Sequence, residues 1–130
     1  MRLLLDTCTL LWWISEPSRV TDAAQSCVKS AENAVFVSVV SAWEVSIKER
    51  MKRFADYPTG AGATVLATLE SYRFEVMPIF WPHAVRAGEL PLHHRDPFDR
   101  MLVAQAQLEG LKLVSPDPLF GPYDVERIWD

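Results

Sequence analysis

The sequence predicts an α/β domain of three layers, α/β/α, with a mainly parallel sheet of four to five strands. Short apolar runs recur along the chain, and each ends in a polar or acidic residue where a helical pattern begins. Strands that alternate with helices need right-handed crossovers, which make the strands parallel and cover both faces of the sheet. The 130 residues, 49% of them hydrophobic, suffice for a single domain over residues 1–130 with its own core.

The first half of the chain predicts two strands and three helices. In order, these are a strand at residues 3–5, a short helix around 10–14, a helix capped by Thr21 and Asp22, a strand at 35–37 ended by Ser38, and a helix from Ser41 to about residue 54. Ser41 and Glu44 have the spacing of a capping box, in which the two residues satisfy each other's backbone N–H groups. This pattern predicts that Glu44 lies in the first turn of its helix.

The second half predicts three more helices and three more strands. After a Pro/Gly turn at 57–62, these are a helix at 63–72, a strand at 74–79, a short helix at 81–88, a helix at 97–109, a strand at 111–114 and an edge strand at 125–129. Asp96 has N-cap chemistry, Pro97 suits the first helical position, and Gly110 suits the end of the same helix.

Composition and charge exclude a disordered or membrane-spanning chain. The hydrophobic content is too high for disorder, and no apolar run is long enough to cross a membrane. The net charge of −4 gives no general attraction for nucleic acid, so such a partner would have to be bound locally. Asp6 interrupts the apolar start too early for a signal peptide, which predicts a cytoplasmic protein.

Five carboxylates fall where the predicted topology brings loops and helix starts together. They are Asp6, Glu44, Asp96, Asp99 and Asp117. In an open parallel sheet, ligands bind beyond the carboxyl ends of the strands. Because like charges raise one another's pKa, such a cluster favours a neutralising divalent cation. Oxygen ligands alone indicate Mg²⁺ or Mn²⁺, which bridges carboxylates to phosphate oxygens, and the substrate implied is a phosphodiester.

Other interpretations of these acids remain open. Acids at helix starts also satisfy free backbone N–H groups, so the chain could be a non-enzymatic α/β protein-interaction domain whose acids are helix caps. Asp6 favours a functional role, because an unpaired carboxylate directly after a buried strand is costly. A phosphoryl enzyme of the haloacid-dehalogenase pattern would need a second Asp two residues after Asp6, where Cys8 stands. No G-x-S-x-G motif, Cys/His constellation or P-loop sequence is present.

Four acid-bearing segments span essentially the whole chain: LLLDT, SAWEVSIK, DPFDRMLVAQA and LVSPD. Together they resemble the four acid motifs of the PIN-domain ribonucleases, and especially those of VapC-type toxins from bacterial toxin–antitoxin systems, in a DPFDR subgroup. The resemblance implies a PIN-like fold with Asp6, Glu44, Asp99 and Asp117 as catalytic residues. It further implies that Asp6, Asp96, Asp99 and Asp117 contact metal.

The same resemblance implies an activity and partners. The activity is that of an endoribonuclease dependent on Mg²⁺ or Mn²⁺, which hydrolyses RNA phosphodiesters with a metal-activated water. The partners are the RNA substrate, a cognate antitoxin that blocks the site, and a second copy in a homodimer. No membrane association is implied.

Residues around the acids give further expectations. The hydroxyl groups of Thr7 and Ser115 are expected to hydrogen-bond carboxylates or phosphate, whereas Pro116 stands where relatives often carry Arg and leaves the orientation of Asp117 open. His93 and His94 are predicted to be loop or RNA-contacting residues, because Mg²⁺ prefers oxygen. Local attraction for phosphate is expected from Lys48, Arg50, Lys52, Arg53, Arg95 and Arg100.

Overall fold

A computed structural model describes residues 1–51 and 61–130 of the chain. The strands in these ranges are β1 (Arg2–Leu5), β2 (Ala34–Ser38), β3 (Glu75–Met77), β4 (Lys112–Val114) and β5 (Arg127–Ile128). They form one sheet in the order β3-β2-β1-β4-β5, and every neighbouring pair is parallel. The predicted parallel sheet is therefore confirmed, although β3 and β5 are shorter than the segments 74–79 and 125–129.

Six α-helices connect or flank these strands in the described ranges. They are α1 (Thr7–Ser15), α2 (Asp22–Lys29), α3 (Val39–Arg50), α4 (Ala61–Ser71), α5 (Trp81–Glu89) and α6 (Pro97–Glu109). Any continuation of α3 past residue 51 lies outside the described residues, as do positions 57–60 of the predicted turn, whose last two residues begin α4. None of the helices described has the length and apolar character that a membrane span requires.

The core lies on both faces of the central strand β1. Leu3, Leu4 and Leu5 have no exposed surface, and their side chains alternate between two apolar clusters. Leu3 and Leu5 pack in the cluster that contains residues from α1, α2 and α4, whereas Leu4 packs in the cluster that contains residues from α6. This arrangement confirms the three-layer α/β/α architecture.

The start of α3 differs from the sequence prediction. The Ser38 hydroxyl oxygen accepts a hydrogen bond from the Val40 N–H at 3.0 Å, so Ser38 is the N-cap and the helix begins at Val39. The predicted capping box of Ser41 and Glu44 is therefore wrong, and Glu44 lies in the second turn. The last residue of β2 satisfies a free N–H group itself, which lets the chain pass from strand to helix without a loop.

Both ends of α6 match the sequence prediction. The Asp96 carboxylate accepts the Phe98 N–H at 2.8 Å as the N-cap, and Pro97 occupies the first turn. Gly110 ends the helix in the left-handed conformation, with φ at 67°. These two caps fix Asp99 in the first turn of α6, facing the carboxyl ends of the strands.

Gly110→Ala is expected to lower the free energy of unfolding by about 1–2 kcal/mol, because an L-residue is strained in the left-handed conformation. Gly88→Ala is the matched control, since Gly88 lies inside α5 with open space around its Cα. This control is expected to raise the same free energy by about 0.5–1 kcal/mol. Urea denaturation measures both changes, and effects of the same sign would contradict the assignment of Gly110 as a conformational cap.

Candidate functional site

A cleft of about 630 Å³ opens at the carboxyl-terminal edge of the sheet. Four predicted acids from four parts of the chain line it: Asp6 after β1, Glu44 on α3, Asp99 on α6 and Asp117 after β4. The structure therefore brings together the four residues predicted as catalytic. It does not place Asp96 among the residues that line the cleft, and the predicted metal contact of Asp96 stays a prediction.

Asp6 is buried and held through both carboxylate oxygens. Its Oδ1 accepts the Thr9 N–H at 2.8 Å as the N-cap of α1, and its Oδ2 accepts the Ser115 hydroxyl at 2.5 Å. Burial raises the pKa of Asp6, while the hydrogen bonds from Ser115 and Thr9 act in the opposite direction. The expected bond from Ser115 to a carboxylate is confirmed, whereas Thr7 donates to the Ser41 hydroxyl oxygen at 2.9 Å.

Asp117 is oriented by three hydrogen bonds. Its backbone N–H donates to Ser115 Oγ at 3.0 Å, its Oδ1 accepts the Leu119 N–H at 2.9 Å, and its Oδ2 lies 2.8 Å from His94 Nε2. The orientation that Pro116 left open in the sequence is thus set by the turn itself and by a histidine from another loop. Ser115 also joins Asp117 to Asp6, because its hydroxyl group bonds both residues.

Asp99 lies in an electrostatically unfavourable environment. Burial, followed by the negative charges of Asp96 and then of the acids that line the cleft, raises its pKa from 3.8 to about 8. His94 Nε2 lies 3.1 Å from Asp99 Oδ2, and carboxylate oxygens of Asp99 and Asp117 fall within 4.8 Å of each other. Near neutral pH, an ionised Asp99 in this position calls for a neutralising cation.

Glu44 supplies a further buried oxygen. Its Oε2 forms an ion pair with Lys48, one turn along α3, while its Oε1 has no hydrogen-bond partner among the described residues. A buried carboxylate oxygen without a partner is costly unless another group satisfies it. Together with the strained Asp99, this oxygen makes the donor set suitable for a hard divalent cation, which prefers carboxylate oxygen.

Several residues of the cleft were not predicted from the sequence. Arg19 and Trp12 line it, with the guanidinium group 4.6 Å from the centre of the indole ring. His94, predicted as a loop or RNA-contacting residue, lies in a loop two residues before Asp96 and contacts Asp99 and Asp117, a pairing that the sequence did not predict. Among the cations expected to attract phosphate, Lys48 lines the cleft. Arg100 instead donates a hydrogen bond to the backbone oxygen of His94. Lys52 and Arg53 lie outside the described residues.

Cys8 also lines the cleft but is unsuited to nucleophilic chemistry. Burial and then the charge of Asp6 raise the pKa of its thiol to about 12. The thiolate is the reactive form of cysteine, and at neutral pH Cys8 carries its proton.

Comparisons with known proteins agree with this architecture. A sequence model of the family described as PIN domain matches residues 3–124. A chain from VapBC2 of Rickettsia felis, solved bound to a DNA fragment from their promoter, aligns with a TM-score of 0.71 and 17% identity over 100% of both chains. A chain of FitAcB from Neisseria gonorrhoeae aligns with a TM-score of 0.62 and 22% identity, covering 98% of this chain and 96% of that chain.

A third structure is VapBC-5 from Mycobacterium tuberculosis, a member of the VapBC family of toxin–antitoxin systems. It aligns with a TM-score of 0.60 and 23% identity, covering 99% of this chain and 98% of that chain. At these identities the likeness concerns the fold. No curated protein matches the sequence at a significant level.

In the absence of divalent cations, Asp99→Asn is expected to stabilise the protein by an amount that grows between about pH 4 and about pH 8. Asp99 has a pKa of about 8 in the folded protein against 3.8 ordinarily, so the wild type loses stability as the pH rises through this window. Thermal unfolding in the presence of a chelator measures the difference. Saturating Mg²⁺ should stabilise the wild type at about pH 8 but not the variant. A gain in stability that does not change with pH would contradict the assignment of electrostatic strain to Asp99.

Proposed function

The chain belongs to the PIN-domain family, and from this we propose that it is a metal-dependent endoribonuclease acting as the toxin of a toxin–antitoxin pair. Proteins of this family are generally nucleases. The observation that carries the proposal is the convergence of four acids, from four separate parts of the chain, on one cleft. Of the functions that clustered carboxylates can have, this arrangement best suits the binding of divalent cations beside a phosphodiester.

We assign the metal contacts to Asp6, Asp99 and Asp117 and place Glu44 with them in the catalytic set. Mg²⁺ or Mn²⁺ suits these oxygen ligands. A bound divalent cation supplies Lewis-acid chemistry, which makes water more acidic and offsets negative charge on the phosphate. The resemblance also assigns a metal contact to Asp96, which caps α6 three residues before Asp99.

Other residues of the chain orient the acids and place positive charge in the cleft. Hydrogen bonds from Ser115 and Thr9 fix Asp6, so its carboxylate does not need to reorganise when a ligand arrives. Lys48 and Arg19 line the same cleft and place positive charge beside the acids. In a protein of net charge −4, these two cations provide the local attraction for RNA phosphates.

The proposal extends to protein partners. The structural neighbours include toxin–antitoxin complexes, and on that basis we assign this chain a cognate antitoxin. Trp81 is 84% exposed and Trp43 57% exposed, which leaves aromatic surface for an antitoxin or for a second copy in a homodimer.

A second candidate function has its own support. Asp6, Asp96 and Asp117 all accept backbone N–H groups at the starts of helical segments, as expected of a non-enzymatic interaction domain whose acids are caps. Glu44 and Asp99, in contrast, lie inside α3 and α6 and cap neither helix. Calorimetric titration of Mn²⁺ into the chelator-stripped protein separates the two functions, because only a nuclease site should bind the ion saturably.

Asp6→Asn and Asp99→Asn are each expected to reduce RNA cleavage by at least about a hundredfold, since both remove a carboxylate charge needed to hold the cation. Cleavage of a panel of labelled structured RNAs in Mg²⁺ or Mn²⁺ measures the loss, and a chelator should abolish wild-type activity. Glu126→Gln removes the same charge from an exposed residue paired with Lys112 and should leave cleavage unchanged. Full activity in either cleft variant would refute the metal mechanism.

Asp96→Asn tests the remaining metal assignment, because Asn caps a helix as well as Asp does but lacks the charge. We expect this variant to raise the Mn²⁺ dissociation constant less than Asp99→Asn does, since Asp96 does not line the cleft. Asp96→Ala should in addition lower the free energy of unfolding by about 1 kcal/mol. Equal losses of Mn²⁺ affinity in Asp96→Asn and Asp99→Asn would instead identify Asp96 as a ligand.

A further inference from the structure

His94 is fixed in place on nearly every side. Its backbone N–H donates to the Tyr123 hydroxyl oxygen at 2.8 Å, and its backbone oxygen accepts from Arg100 Nη1 at 3.0 Å. The ring is buried against Phe120, with ring centres 5.4 Å apart. Both ring nitrogens also have hydrogen-bond contacts.

Those two nitrogens face groups of opposite character. Nδ1 lies 3.2 Å from the backbone nitrogen of Asp96, which has a hydrogen to donate. Nε2 lies 2.8 Å from Asp117 Oδ2 and 3.1 Å from Asp99 Oδ2, and a carboxyl oxygen that bears no proton accepts hydrogen bonds. An imidazole nitrogen that accepts an N–H bears no proton, so the neutral ring carries its proton on Nε2.

We propose that His94 is a positioning residue whose Nε2–H bridges the carboxylates of Asp99 and Asp117 and holds them together for the cation, without ligating it. This inference rests on the proposed function. It assigns a role to a residue outside the four acids and explains how acids from α6 and from the turn after β4 keep a fixed separation. Orienting partners of this kind commonly decide how well a metal site binds.

The geometry opposes a role for His94 as a direct ligand. A nitrogen must offer a lone pair to bind metal, and the lone pair of Nδ1 is engaged by the Asp96 N–H. Freeing Nε2 would require the proton to move to Nδ1, where it would face that same N–H donor and break the bond. Packing against Phe120 and the hydrogen bond from the Asp96 N–H hold the ring in this orientation, while the backbone contacts with Tyr123 and Arg100 fix where the ring is attached.

The backbone contact of Asp96 gives the arrangement a further consequence. Asp96 caps α6 with its side chain while its N–H fixes the ring of His94. The cap, the histidine and the first turn of α6 therefore form one connected unit. Asp117, which belongs to a different part of the chain, is tied to that unit through Nε2.

Long-range ¹H–¹⁵N correlation NMR of the histidine rings tests the tautomer in the wild-type protein. We expect His94 to show a protonated Nε2 and an unprotonated Nδ1, both without cation and in saturating Mg²⁺. The missing signal in His94→Gln assigns the resonance. A proton on Nδ1 in the cation-free protein, or loss of the Nε2 proton when Mg²⁺ binds, would overturn the proposal.

Mn²⁺ titration of variants tests the positioning role separately. His94→Leu removes the donor and should weaken binding by about tenfold or more, whereas His94→Gln keeps an N–H at similar reach and should restore most of the affinity. Glu126→Gln alters an exposed carboxylate paired with Lys112 and should have no effect. Thermal unfolding of each variant without cation verifies that it is folded.

A double-mutant cycle shows whether His94 acts through Asp117. In an Asp117→Asn background, we expect His94→Leu to weaken Mn²⁺ binding much less than it does in the wild type. Fully additive losses, or equal affinity of wild type and His94→Leu, would overturn the positioning role alone. Absence of Mn²⁺ binding by the wild type would instead overturn the proposed function, because that result removes the metal site itself.

Discussion

The parallel pairing of β1 with β4 is the contact on which the cleft depends. Leu5 is paired with Val114, and the ladder continues one residue further, where the Asp6 N–H donates to the Val114 oxygen at 3.2 Å. This register places Asp6 beside Ser115 and brings the turn that carries Asp117 to the same edge. Because β1 is buried on both faces, a slip in register would move a charged neighbour of its leucines, Arg2 or Asp6, into the core, and the position of the acids is thereby secured.

Concentrating acids at this edge is costly, and the surrounding residues offset only part of that cost. Ser115 and Thr9 stabilise the Asp6 charge, and Lys48 pairs with one oxygen of Glu44. Asp99 remains under strain, since burial and neighbouring charges all raise its pKa. The strain falls on buried acids that would gain from a cation, Asp99 and Asp6, as expected where a fold gives up stability for function.

Local sequence chemistry predicted the acids and most elements, whereas contacts between distant loops could not be predicted. The cap at Asp96 and the stop at Gly110 follow from neighbouring residues alone, so α6 matches its predicted bounds. The start of α3 was misplaced because Ser38 ends a strand and caps a helix at once, and two valines after it resemble strand residues. The role of His94 depends on Asp117, 23 residues away, and no local pattern indicates that pairing.

The capping and functional interpretations of these acids are compatible in the structure. Asp6 and Asp117 divide their oxygens in the same way: one accepts a backbone N–H at a helical start, and the other accepts a side-chain donor. An ionised carboxylate has about four lone-pair sites, so two hydrogen bonds leave roughly half of them available. Capping therefore fixes the direction of each carboxylate without exhausting its capacity as a ligand. What distinguishes a nuclease from a merely well-capped domain is the pair of acids that cap nothing, Glu44 and Asp99.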